Sequence, residues 1–518
     1  MKRIVFLVIA TLLVMGLVLP GCAGDGGNGG NGGPDTRPPI TFAIADAMTD
    51  ITGVNAWAGA EMARDEINDG DGVNVGGEYH KVELVKVDTN EVVGSPDEGV
   101  TALGAVIDDV DFVLGGFRTE QVTVYREVAM DAGKLFMDCG AATGALQYAV
   151  VKNYDKYKYW FKVTPYNENF LAQSLFRIVR AFTGLLRDEL VAAGDAVLEA
   201  YKVSEDDPMK VAIIAEDAAW CAGLVILLEG RAKMEGYDVV GIWKVSPTAT
   251  DISTELTAIA GKHPHLIMPV FSGPVGITYV NQRAGLGIPA MSIGINVPLQ
   301  VKSGWTETGG KCNGDMLLDT WGDGMQQTTT TANFFNTFVT RYNDYPGYTA
   351  QTYDGIYMLK EAIEAVSAAN GWDEIADVIK STNIDALIQY IETHRYTGTA
   401  GTLAYHPMPD INLGAGTWAL SEAQVRALYD LDSYGWTYVQ SEWQVASSAI
   451  VGPYYAHDYV YGPGLATGCG TQWQDGKKVG IWPVEIAGAD LIDQYGDWNF
   501  EYTGTKDVVI SIEKFLAS

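Results

Sequence analysis

The chain has 518 residues, 47% of them apolar, and its 65 acidic against 34 basic side chains leave a formal charge of −31. Such a charge repels phosphate backbones and anionic lipid headgroups, which excludes a nucleic-acid-binding role and reads most simply as a solvated acidic surface. The roughly 480 residues after position 39 are enough for two domains of ordinary size, and beyond the N-terminus no apolar run approaches the ~20 residues of a membrane span.

Lys2 and Arg3 precede the apolar run Ile4–Leu19, which leads into Leu19-Pro20-Gly21-Cys22. A short cationic head and about 16 apolar residues before a small residue read as an export signal, too short for a comfortable span. The Leu-Pro-Gly-Cys string resembles the lipobox of bacterial-type lipoproteins, which implies cleavage before Cys22 and a lipid on its sulfur; an ordinary secretory signal with an incidental cysteine is the alternative. Gly24–Gly33, rich in Gly and Asn, cannot bury apolar surface and reads as a flexible tether that Pro38-Pro39 stiffens. The expected layout is a signal over 1–22, a tether over 23–39 and a globular body.

Short apolar strands are expected at Thr41–Ala45, Val82–Val87, Asp111–Leu114 and Lys134–Met137, with helical patterns such as Ala58–Ile67 and Glu98–Ile107 between them. The same cadence returns at Lys210–Ala215, Val239–Val245, His265–Val270 and Ala290–Ile295, with helices near Gly223–Glu235 and Ile252–Ala260. Strands alternating with helices indicate βαβ units, so the fold class is α/β with two doubly wound parallel sheets. Ligands of such sheets bind beyond the carboxyl ends of the strands. The loops of interest are therefore Asp46–Asn55, Gly115–Gln121, Asp138–Ala145, Glu216–Gly223, Phe271–Val275 and Asn296–Gln300. Their small residues let a ligand approach backbone N–H groups, and helix N-termini there favour a carboxylate.

Besides Cys22 the cysteines are Cys139, Cys221, Cys312 and Cys469. In an exported chain they permit two disulfides in any of three pairings, with Cys312 and Cys469, both in Gly-rich text, the favoured pair and free buried thiols the alternative. None has the spacing of a zinc site. The chain also lacks a Gly-x-Ser-x-Gly elbow, a His-Glu-x-x-His pair, a Walker loop and a Gly-x-Gly-x-x-Gly opening, so neither an enzyme nor a cofactor or metal is expected.

Met48-Thr49-Asp50-Ile51-Thr52-Gly53, followed by Trp57-Ala58-Gly59-Ala60-Glu61-Met62-Ala63-Arg64-Asp65-Glu66-Ile67-Asn68, resembles the opening of the Leu/Ile/Val-binding-protein family. These are type 1 solute-binding proteins of ABC importers. Ala141-Ala142-Thr143, Tyr159–Pro165, Tyr353-Asp354-Gly355 and Gln472–Lys477 agree with it in order and spacing. The resemblance covers about residues 40–370 and the last of these stretches. It implies a non-enzymatic receptor with two lobes joined by three crossovers, which closes on a small ligand and delivers it to a permease. The expected lobes are 38–163 with 298–395, and 164–297 with 396–518. Residues 399–473 exceed the family pattern, and Trp418–Tyr461 reads as decoration on lobe 2.

Carried over by motif, the resemblance nominates Trp57 as an aromatic against the ligand and Thr119 as a hydroxyl and N–H for a carboxylate. Ala141 and Thr143 fall in the loop that holds an amino acid's two charged groups, Trp220 where an aromatic lid stands, and Phe271 and Asn296 at strand ends of lobe 2. Asn296 stands where amino-acid binders often carry an acid, and Arg118 offers a guanidinium that can clamp a carboxylate. The implied ligand is a branched-chain or other amino acid, a carboxylate, an amide or a urea-like molecule. Plainer roles remain open: core packing for Trp57 and Trp220, an ion pair for Arg118, and helix capping for Thr119 and Thr143. A lipoprotein that senses ligand for a membrane signalling receptor is the second functional reading.

Overall fold

Five short strands form a first sheet: β1 (Ile40–Asp46), β2 (Val82–Asp88), β3 (Phe112–Gly115), β4 (Phe136–Asp138) and β5 (Trp160–Lys162). Their order is β2-β1-β3-β4-β5 and every neighbouring pair is parallel. The structure, a computed structural model, describes residues 37–92, 94–164, 167–405, 417–419, 444–446, 450–451, 456–458, 465–466, 468–482 and 508–517. The expected signal with Cys22, the expected tether up to residue 36 and most of Trp418–Tyr461 lie outside the described residues.

A second sheet repeats the winding with β6 (Lys210–Glu216), β7 (Asp238–Val245), β8 (Leu266–Phe271), β9 (Met291–Asn296) and β10 (Met316–Asp319) in the order β7-β6-β8-β9-β10, again all parallel. An antiparallel hairpin, β11 (Cys469–Gln474) and β12 (Lys477–Trp482), extends it beyond β10. Helices cover both faces of parallel sheets, which is why their central strands read as unbroken apolar runs. Phe42 to Ala45 of β1 and Val211 to Ala215 of β6 are fully buried.

The helices that matter for the site start at strand ends. Helix α1 (Ile51–Asp69) is capped by Asp50, whose carboxylate accepts the Thr52 N–H at 3.2 Å. Helix α2 (Thr119–Asp131) follows β3, α3 (Glu168–Ala193) is capped by Asn167, α4 (Ala219–Met234) follows β6, and α5 (Thr352–Asn370) packs on α1. Among the described residues no helix is long and apolar enough to cross a membrane.

Two expected boundaries move. Residues 316–319, assigned to lobe 1 with 298–395, form β10 of the second sheet, in register with Ile293 and Gly294. Conversely residues 396–405 and 456–458, assigned to lobe 2 with the rest of 396–518, pack on the first sheet and its helix α5. Thr399 donates its N–H and hydroxyl to Asp354 in α5, and Tyr405 meets Phe161 edge-on. The reason lies in the open edge of β5, whose unpaired backbone groups need cover. Lys162 donates its N–H to the His457 carbonyl at 2.9 Å, the His457 ring donates through Nδ1 to the Trp160 carbonyl at 2.8 Å, and the same ring stacks on Phe161 at 4.0 Å. The residues at 456–458 therefore cover an edge of lobe 1 rather than decorating lobe 2.

The expected disulfide is also corrected, because all four described cysteines are buried free thiols. Cys469 opens β11 opposite Asp319, whereas the Cys312 sulfur accepts from the Thr308 hydroxyl at 3.2 Å. Burial pushes the Cys312 thiol up to about 12, which keeps it protonated and unreactive.

Each sheet contains a fully buried ion pair. Lys162 reaches Asp138 at 2.7 Å between β5 and β4, and Lys478 reaches Asp319 at 2.7 Å between β12 and β10. Removing one partner leaves an uncompensated buried charge, which costs about 3–5 kcal/mol. Lys162→Met is expected to lower the urea midpoint accordingly, and an unchanged midpoint would show that Asp138 does not need its cation.

Candidate functional site

In both sheets the strand order reverses beside the first strand, between β1 and β3 and between β6 and β8. Crevices at such reversals are where open α/β sheets take ligands. Strand β3 runs into Gly115-Gly116, whose φ values of +116° and +101° suit glycine alone. A Cβ on Gly115 would lie 2.2 Å from the Ala45 carbonyl oxygen, and one on Gly116 would lie 2.8 Å from Asp138 Oδ1. This turn brings Phe117 and Arg118 to the crevice just before α2 begins.

Arg118 is only 5% exposed, and its Nη1 stands 3.6 Å from Oε1 of Glu216, the last residue of β6 in the other sheet. Glu216 is fully buried and accepts from Trp220 Nε1 at 2.7 Å, from the N–H groups of Ser272 and Gly273 at 3.0 and 2.8 Å, and from the Ser272 hydroxyl. Those four bonds occupy the carboxylate's ordinary acceptor directions. Arg118 is in the opposite condition, since its Nε and Nη2 are buried with no hydrogen-bond partner among the described residues.

A cavity opens beside this pair. Its apolar wall includes Phe117, Leu171, Trp220, Ile295, Leu318 and Tyr348, and its polar groups include Thr164, Ser272, Gln300, Thr320 and Gln351. Asp319 also lines it, with its oxygens taken by Lys478, by the Thr471 hydroxyl at 3.2 Å and by the Thr320 N–H at 2.8 Å. Apolar walls with a few fixed polar groups suit a small molecule. Among the described residues no cluster of His, Cys, Asp or Glu is arranged to hold a metal ion.

Of the nominated residues, Arg118 and Trp220 line the cavity. Three others miss it by one position, because neighbouring residues at a strand end point to opposite sides. Phe271 packs in the core against Tyr279 while Ser272 faces the cavity. Asn296 donates to the Gly276 carbonyl at 3.1 Å while Ile295 and Val297 line the wall, and the Ala141 N–H goes to Asp138 while Gly140 and Ala142 line it. Thr143 caps the next helix by accepting the Ala145 N–H, and Thr119 starts α2 with its hydroxyl buried and unpartnered, outside the lining. Trp57 also lies outside it, with Lys86 Nζ 4.3 Å above its ring. Glu216 and Ser272, where strands give way to the loops that follow them, join the site through the Glu216 carboxylate and the cavity wall without a motif of their own to mark them. Tyr348 and Gln351 carried no signal, because they follow no strand.

Residues 47–408 match the family of periplasmic binding proteins. No curated protein sequence matches the chain. Among solved structures, a branched-chain amino acid ABC transporter protein from Silicibacter pomeroyi is 19% identical over 87% of this chain and 98% of its own, with a TM-score of 0.58. A solute-binding protein of an ABC transporter from R. palustris, in complex with benzoate, is 13% identical over 86% and 96%, with a TM-score of 0.57. A branched-chain amino acid transporter substrate-binding protein from Streptococcus pneumoniae, in complex with isoleucine, is 17% identical over 71% and 92%, with a TM-score of 0.53. At such identities the structures speak for the fold alone. The family match spans most of the two-sheet body and both of its strand-order reversals, and the chain belongs to the periplasmic binding protein family, with a solute-binding role outside the cytoplasm.

Proposed function

We propose that this solute-binding protein captures a small molecule with a carboxylate head and an apolar body, and delivers it to the permease of an ABC importer. The observation that carries the reading is the Arg118 guanidinium, buried at an apolar cavity with two donor nitrogens unpartnered. Unmade hydrogen bonds of a buried charged group are costly, and a carboxylate placed side-on against Nε and Nη2 would satisfy both with the bidentate geometry that arginine favours. Glu216, already saturated, balances the guanidinium from the other lobe. Isoleucine and benzoate, bound by two of the structural neighbours, both carry such a carboxylate. Contacts from both lobes make ligand binding favour the closed form.

The protein is further proposed to sit on the outer face of the cytoplasmic membrane, held by lipid on Cys22. The cationic head, the apolar run and Leu19-Pro20-Gly21-Cys22 support this. Cys22→Ser is expected to abolish labelling by radioactive palmitate and release the protein from membranes; label retained in that variant would contradict the anchor.

For the ligand, the body from about residue 36 is melted against amino acids, aromatic and branched aliphatic carboxylates, amides and urea. A ligand at about 100 times its Kd adds roughly 2.7 kcal/mol of stability. Carboxylates are expected to raise the Tm and the amides and urea to leave it unchanged. Arg118→Gln should weaken the best carboxylate about tenfold or more, by loss of a charged hydrogen-bond pair, with Trp57→Ala neutral. A response to urea or amides instead, or full affinity in Arg118→Gln, would sink the reading.

A further inference from the structure

We propose that Glu91 is a positioning residue for ligand capture, holding Arg118 at the cavity by fastening the loop that carries it; the proposal rests on the reading of Arg118 as the ligand's anchor. Glu91 follows β2, and Arg118 follows β3, with β1 between those strands. The Glu91 side chain spans that gap. Its Oε2 accepts the N–H groups of both Phe117 and Arg118, at 3.1 and 2.5 Å, and its Oε1 accepts the hydroxyls of Thr89 at 2.7 Å and Tyr125 at 2.8 Å. Tyr125 belongs to α2, which begins at the residue after Arg118, so one carboxylate grips the loop and the helix that continues it.

This grip matters because the guanidinium makes no close hydrogen bond of its own among the described residues. Among the described residues its Nε and Nη2 have no hydrogen-bond partner, its Nη1 meets Glu216 only at 3.6 Å, and its Cζ stands 5.1 Å from the centre of the Phe117 ring. The backbone that carries both Arg118 and the Phe117 ring beside it is fixed by Glu91 and the Gly115-Gly116 turn, so the loop decides where the guanidinium starts from. Glu91 does not line the cavity, so it acts through Arg118.

The charged and titratable groups around Glu91 come from every element near it: Asp46 at the end of β1, Asp50 before α1, Arg118 itself, Tyr125 in α2, Asp138 with its partner Lys162, and Tyr348. Burial raises the Glu91 carboxyl to about 7, and burial together with Glu91 raises Asp46 well above the usual carboxylate range. A carboxyl with a raised folded-state pKa favours the fold below its unfolded value, and that contribution is lost as the pH rises through the folded value. Glu91 thus works against stability at pH 8, where its charge most strengthens its bonds to the two amides.

The test uses hydrogen exchange on the ligand-free protein, then calorimetry with benzoate and isoleucine as probes. At pH 8 the Phe117 and Arg118 amides should be protected in the native protein, lose about tenfold or more of that protection in Glu91→Ala, and keep it in Glu91→Gln, whose amide oxygen can still accept both. Glu91→Gln should also melt higher than the native protein at pH 8, because it carries no buried charge there. Glu91→Ala should weaken the bound probe about tenfold, Glu91→Gln by less than about threefold, and Glu91→Ala should cost almost nothing when Arg118→Gln is already present. The proposal is overturned by unchanged exchange in Glu91→Ala, or by a loss of affinity that persists in the Arg118→Gln background. If neither probe binds the native protein while exchange follows Glu91 as described, the choice of ligand class fails and the positioning role is supported by exchange.

Discussion

Arg118 and Glu216 bring opposite charges to 3.6 Å across the two lobes, both almost or fully out of water. Taking such charges out of solvent costs several kcal/mol each unless hydrogen bonds replace the water. The pair meets that cost unevenly. Glu216 is satisfied within its own lobe by Trp220, Ser272 and Gly273, while Arg118 keeps two nitrogens without partners. The cavity thus has at its side a buried cation that faces a satisfied carboxylate of the other sheet and has two nitrogens without a hydrogen-bond partner among the described residues.

The same device recurs through the body. Acidic residues end β1, β4, β6 and β10, namely Asp46, Asp138, Glu216 and Asp319, and each accepts backbone N–H groups from loops at the carboxyl ends of the strands. A buried carboxylate is tolerated when several N–H donors or a cation face it. Two of the four have a lysine, and Glu216 has the guanidinium. This placement follows from topology. Parallel strands all finish on one side of the sheet, so their terminal side chains converge where the loops need fixing. The repeated winding of the two sheets explains why both lobes use it.

Much of this architecture is legible in the residues themselves. Buried parallel strands announce themselves as apolar runs bounded by small or acidic residues, and the runs from Thr41 to Met137 and from Lys210 to Ile295 are of that kind. Arg118 and Trp220, which line the cavity, each sit just beyond the end of such a strand, which is the pattern by which the sequence marks them as candidates. Phe271 and Asn296 were read one position off, since a strand's alternation decides which neighbour faces the cavity and a boundary shift of one residue reverses it. Strand β10 was hidden by its brevity, and its place in the second sheet depends on pairing with β9 and β11, which no local pattern encodes. The four thiols remain apart for a similar reason: proximity in space, not Gly-rich text, decides pairing.

The covered edge of β5 has a consequence in time. Trp160 and His457 are separated by 297 positions, so the first sheet's last strand waits for residues made or threaded much later. At roughly 5–20 residues per second, synthesis alone leaves that edge open for about 15–60 s. During that interval β5 offers free backbone donors and acceptors to any passing strand. A chain of this design would benefit from being handed to its destination still unfolded, or from a chaperone that occupies the β5 edge until the C-terminal segment arrives.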